Sequence, residues 1–367
     1  MTPVVGTRLR VHARGAAVLA STLRVPGTQA VERLSKAPSI EETTHGEVPI
    51  TVLRPGMRPP WPALVFINGA TPDGRRHPVV RRLGLGLARA GFLVFVPELP
   101  GLGRGELTPA TLRSTIELVT AAGDTPEALG GRVGLAGVSL GGSLALLTAA
   151  APALAERITV VACIAPFTDL ANIVRLATTG VYRNGDRLVT HVAPPFLLLG
   201  IARSLVGTLP RNPENENLAS ELRAVDPNSG DPLLPFRTSG PLDDGAAALH
   251  ALLANQDPER FDELYGGLPG VARESVESLS PLRVASRLVA PVEIATAPHD
   301  TYFPVAESVA LAGMNPRVTL TVTEALAHAA PTLTRPGLAG LVRLHLFFTR
   351  SLAAAGASRT EGPVRFW

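Results

Sequence analysis

Seven short apolar runs alternate with longer segments of helical spacing from about residue 48 onward. They read "VPITVLRP", "PALVFING", "GFLVFVPEL", "RVGLAGVS", "ITVVACIAP", "PVEIATAPHD" and "RVTLTVTEAL", each closed by a Gly, Pro or polar turn. Strands so evenly apolar are buried on both faces, and helical connections between them make the sheet mostly parallel. The pattern therefore predicts an α/β fold with helices on both sides of one sheet. Ligands in such sheets sit beyond the carboxyl ends of the strands, so the polar residues just after each strand are the ones to inspect.

The rhythm breaks once. Between Pro166 and about Ser280 come helical pieces such as "TDLANIVRLATTGVY" and "APPFLLLGIARSLVG", separated by a Pro/Asn-rich stretch. The segment is too apolar for a linker and reads as a helical insertion lying over the strand ends. The expected division is a core of residues 41–166 and 281–352, a helical cap over 167–280, an N-terminal helical extension over 1–40 and a C-terminal tail over 353–367.

Composition narrows the chemistry. Apolar residues make up 46% and charged ones 18%, which marks a folded chain. Net charge is only +3, and the arginines are scattered singly or in pairs among acids, so nucleic acid is not an expected partner. Lys36 is the only lysine, which excludes a Schiff-base lysine, a Ser–Lys dyad or a phosphate-loop lysine in the body of the protein. Cys163 is the only cysteine and lies in an apolar run, where it reads as a packing residue. Neither H-E-x-x-H nor any other metal-ligand spacing appears, and "PELPGLGRGEL" lacks the full G-x-G-x-x-G of a nucleotide site. No cofactor is expected.

The stretch "RVGLAGVSLGGSLALL" carries the sharpest signal. Gly137-Val138-Ser139-Leu140-Gly141 completes G-x-S-x-G between an apolar run and a helical one. A strand-to-helix turn that tight strains the serine backbone, and the flanking glycines remove side chains that would clash. It also aims the free N–H groups of a helix start at the serine hydroxyl. Ser139 is accordingly the candidate nucleophile.

A serine needs a base, and the base an orienting group. His328, in "TEALAHAAP" just after the last apolar run, is the candidate base. His345 sits inside an apolar helix and reads as packed, while His299 reads as a loop residue or a supporting group beside Asp300. For the acid, Asp300 directly follows "PVEIATAPH" and is favoured. Asp169, after "CIAPFT", is the rival, since an acid one strand earlier also reaches the histidine. An oxyanion hole needs two N–H donors. Leu140 supplies one, and Ala70 in Asn68-Gly69-Ala70-Thr71 is the candidate for the other.

With these pieces in place the sequence resembles the α/β-hydrolase superfamily over roughly Glu47 to Arg350. The resemblance rests on GVSLGG, INGA, "PELPGLGRGE", "SPLRVASRLVAPVEIATAPHDTYFP" and the late His328. The double glycine after the serine is similar to the dienelactone-hydrolase-like and prolyl-oligopeptidase-like branches. Two positions depart from the pattern: Asn68 stands where His is usual, and His299 where Gly is common. The resemblance implies a mostly parallel eight-stranded sheet flanked by helices, with the cap inserted after strand 6. It also implies a serine hydrolase working through an acyl-enzyme on Ser139.

The expected activity is carboxylic-ester hydrolysis of a small acyl substrate with an apolar moiety. A thioesterase or acyltransferase with the same residues, or a non-catalytic hydrolase fold used for binding, are the alternatives. A peptidase is disfavoured, there being no room for a propeller domain before the core. At the N-terminus, Arg8, Arg10 and Arg14 precede the apolar "GAAVLASTL", the outline of a weak export signal without a convincing cleavage site. An amphipathic helix lying on the domain is the preferred reading, with no stable membrane span. The expected location is the cytoplasm, with export or membrane association through this segment as the alternative.

Overall fold

The computed structural model describes residues 3–23, 36–227, 231–331 and 337–356. The rest of the expected N-terminal extension and most of the expected C-terminal tail lie outside them. Eight strands form the central sheet: β1 (Ser39–His45), β2 (Val48–Arg54), β3 (Trp61–Ile67), β4 (Leu93–Pro97), β5 (Ala128–Val138), β6 (Ile158–Ile164), β9 (Val292–Thr296) and β10 (Val318–Val322). Their order is β1-β2-β4-β3-β5-β6-β9-β10. All neighbours from β4 to β10 pair in parallel, whereas β2 runs antiparallel to both β1 and β4.

Side chains alternate across a strand, so each strand feeds two cores. Ala63, Val65 and Ile67 of β3 join one buried cluster, while Leu64 and Phe66 join the other. The first cluster packs against helices α3 (Pro109–Asp124) and α4 (Leu140–Ala149) and continues without a break into the cap. The second packs against α1 (Pro3–Leu23), α2 (Pro78–Arg89) and α13 (Leu338–Gly356). Full burial of one such Leu or Phe stabilises the fold by roughly 1.5–3 kcal/mol, so this double core is the main adhesive.

These last three helices run parallel. His12 and Gly15 of α1 lie against His345 and Thr349 of α13, and Gly86 of α2 lies against Val18 of α1. α2 follows the carboxyl end of β3, and α13 follows that of β10. All three therefore begin at the carboxyl edge of the sheet. α13 is long and apolar enough to cross a membrane, a length that no run was expected to reach, but Leu344, Phe347, Phe348 and Leu352 are buried on the sheet.

The insertion leaves β6 and returns at β9. It holds α5 (Leu170–Thr179), α6 (Pro195–Val206), α7 (Pro213–Ala224), α8 (Leu234–Thr238), α9 (Asp244–Leu253), α10 (Phe261–Gly266) and α11 (Gly270–Ser278). It also holds a hairpin, β7 (Val181–Asn184) and β8 (Arg187–Thr190), which the sequence reading did not single out. β1 was likewise not read from the sequence. All seven of its residues are exposed, so it has no apolar pattern to read.

Candidate active site

The elbow is built as its sequence demands. Ser139 links β5 to α4 with φ 55° and ψ −126°, a region that disfavours side chains and costs of order 1–3 kcal/mol. Its N–H donates to the Ile164 carbonyl at 2.8 Å, and its carbonyl accepts from the Gly142 N–H at 2.8 Å. A Cβ on Gly137 would collide with the Gly141 carbonyl, and one on Gly141 with the carbonyls of Ile67 and Asn68. The Ser143 hydroxyl donates to the Phe167 carbonyl at 2.7 Å and pins the helix start to the loop after β6. Cys163 is fully buried behind it, and burial pushes its thiol far up, which keeps it protonated and inert.

Asp300 and His328 stand in one line with Ser139. His328 Nδ1 lies 2.8 Å from both Asp300 carboxylate oxygens, and Nε2 lies 3.0 Å from Ser139 Oγ. With Nδ1–H donating to the carboxylate, Nε2 is left to accept from the serine hydroxyl. Asp300 Oδ1 also accepts from the N–H groups of Tyr302 (2.8 Å) and Phe303 (3.0 Å). The carboxylate is completely buried, whereas Ser139 retains 8% exposure and the imidazole 13%.

His328 occupies the two-residue turn between the short strands β11 (Leu326–Ala327) and β12 (Ala330–Pro331), with φ 49°. The Tyr302 ring stacks on its imidazole at 4.3 Å, and Phe303 meets the same ring edge-on at 5.7 Å. The sequence reading missed both rings. Their only signal was their place two and three residues after the expected acid.

The other candidates lie elsewhere. Asp169 caps α5, its Oδ1 accepting from the N–H groups of Ala171 (3.0 Å) and Asn172 (3.4 Å). The carboxylate on His328 is that of Asp300 and not that of Asp169. His345 hydrogen-bonds His12 at 3.1 Å, with burial and that neighbour both lowering its pKa. His299 is exposed. A group the sequence did not single out is Glu307, in the first turn of α12 (Val305–Met314) and 3% exposed. Its carboxylate accepts from the Thr168 N–H (2.8 Å), the Asp169 N–H (2.7 Å) and the Asn172 amide (2.9 Å), which ties the helix after the acid loop to the root of the cap.

Leu140 supplies the first N–H of α4, and Ala70 lies in the loop after β3. Among the described residues neither N–H donates to a protein acceptor. Asn68 is buried, with its amide donating to the Gly69 carbonyl at 2.9 Å and its Oδ1 unpartnered. No cluster of three His, Cys, Asp or Glu among the described residues could hold a metal. Beside Leu140 a narrow cleft of about 40 Å³ runs between core and cap. Phe167, Ile173, Phe196, Ile201 and Phe303 line it. Its one polar side chain, Ser204, is already bonded to the Leu107 N–H and the Gly200 carbonyl. The cap seats closely there, since a Cβ on Gly200 would come within 2.8 Å of the Gly105 carbonyl.

Known structures share this architecture. Over 90% of its length the chain is similar to 2,6-dihydroxy-pseudo-oxynicotine hydrolase, with a TM-score of 0.52 and 16% identity, and it spans 73% of that chain. Over 91% it is similar to the acylaminoacyl peptidase of Pyrococcus horikoshii (TM-score 0.51, 13% identity), spanning 44% of it. Over 89% it is similar to a puromycin-hydrolyzing peptidase of Mycobacterium tuberculosis (TM-score 0.50, 18% identity), spanning 40% of it. The chain thus covers less than half the length of either peptidase. No family model matches the sequence, and no curated protein does. The fold is the α/β-hydrolase fold, a mostly parallel eight-stranded sheet with helices on both faces and an insertion after the sixth strand.

Proposed function

We propose that the chain is a serine hydrolase that cleaves carboxylic esters carrying an apolar acyl or alcohol group. The observation that carries this reading is the unbroken run of contacts from Ser139 through His328 to Asp300. His328 Nε2 takes the hydroxyl proton as Ser139 Oγ attacks the ester carbonyl, and Asp300 steadies the imidazolium. The negative charge that develops on the carbonyl oxygen faces the N–H groups of Leu140 and Ala70. His328 then passes its proton to the departing alkoxide, and later takes one from the water that releases the acid from Ser139. The cleft beside Leu140 supports an apolar group, because a lining with no spare polar side chain favours hydrocarbon.

Turnover of p-nitrophenyl esters across chain lengths tests the reading. Ser139→Ala is expected to lower kcat/KM by about a thousandfold or more while thermal melting stays cooperative. A fluorophosphonate probe is expected to label the wild type and not the variant. Full ester turnover by a folded Ser139→Ala chain would sink the mechanism. Acyl transfer to added alcohols outpacing hydrolysis would move the reading to an acyltransferase.

A further inference from the structure

The layer made by α1, α2 and α13 carries eight arginines and not one Asp or Glu. Soluble surfaces normally intersperse both signs. Arg350 is spoken for, since it pairs with Glu293 of β9. Arg10, Arg81 and Arg343 are exposed, and among the described residues none of them forms an ion pair. Because the three helices begin at the carboxyl edge of the sheet, these side chains gather on the rim that also carries the His328 turn.

Apolar side chains stand out from the same rim. Leu9 is 71% exposed, Leu338 79% and Val342 47%. Large aliphatic groups set among arginines at helix starts are the composition of an interfacial face, in which hydrocarbon enters the acyl boundary and guanidinium groups meet headgroups. The cap has the opposite charge. Residues 167–280 hold fifteen Asp and Glu against nine Arg, a net charge of −6 that leaves +9 on the remainder. An anionic surface would therefore repel the cap and attract the rim.

We propose that this arginine-rich layer docks onto a membrane surface bearing anionic phospholipid headgroups. Binding of this kind needs no turnover and stands apart from the ester chemistry.

Sedimentation of the full chain with vesicles of phosphatidylglycerol or of phosphatidylcholine tests it. At about 0.1 M salt the chain is expected to sediment with the first and not the second, and to be released as salt screens the headgroups. Arg10→Glu combined with Arg343→Glu is expected to weaken partitioning about tenfold or more. Leu338→Asp is expected to weaken it at every salt concentration. These variants keep wild-type turnover of a soluble short-chain ester. If the double variant melts early, Arg81→Glu alone serves in its place, with a severalfold loss expected. Equal sedimentation with both lipids, no sedimentation with phosphatidylglycerol, or unchanged binding by the folded variants would each overturn the docking face. So would retention on duplex DNA without retention on anionic vesicles.

Discussion

Asp300 has no unused acceptor on its inner oxygen, because two backbone N–H groups of its own loop and the imidazole all converge there. A neutral amide in that place loses the charge-assisted bond to Nδ1–H and lets the ring adopt the wrong tautomer. Asp300→Asn is therefore expected to lower kcat by about ten-thousandfold with the fold retained. Asp169→Asn is the matched control. Asparagine caps a helix as well as aspartate does, so turnover is expected to stay within about threefold of wild type. Steady-state ester kinetics on the two folded variants checks both, and the reverse ranking would hand the acid's role to Asp169. Ser139, Asp300 and His328 were legible because each is a polar residue that ends an apolar run. Tyr302 and Glu307 were not. An aromatic in a loop and a glutamate on a helix have ordinary solvent-facing readings, and only packing shows that one covers the imidazole and the other is buried.

At the scale of elements, the sequence marked the fully buried strands, though it also read as buried the half-exposed β10. β4 and β9 are buried at every position and announced themselves as apolar runs. β1 is exposed throughout and owes its place to pairing with β2, which leaves no trace in hydropathy. The β7–β8 hairpin did have a signal, since Gly185-Asp186 forms its two-residue turn, but the surrounding helical spacing masked it. The joint between α12 and the cap is a second consequence of burial. Desolvation pushes the Glu307 carboxyl above the usual carboxylate range against the pull of its hydrogen bonds. The folded chain thus holds that proton more tightly than the unfolded chain. Its contribution to stability is complete below the ordinary glutamate pKa and is lost as pH climbs through the raised value. Glu307→Gln cannot ionise, so its Tm relative to wild type is expected to rise between about pH 4.5 and pH 7.5. Any loss from turning an acceptor into a donor toward Asn172 is constant across pH, so the slope is the measurement. A flat difference would place the ionisation elsewhere.

For the whole molecule, the cap is not an appendage. Its buried residues, Leu249 and Val276 among them, belong to the same cluster as Val65 and Leu135 of the sheet. Core and cap are thereby expected to melt as one unit. Leu249→Ala, at a position with no exposure, should cost about 2–5 kcal/mol and shift a single calorimetric transition without splitting it. A separate low-temperature transition would show the cap to be its own cooperative unit.

The order of segments along the chain has a further effect during synthesis. Ser139 leaves the ribosome well before Asp300 and His328, with the entire insertion between them. Domains fold as units, N-terminal parts first. The serine thus waits, unassisted, until 189 more residues have been made, by which time the segment that roofs it is already complete. An unfinished chain carries the hydroxyl without the imidazole it touches in the complete fold.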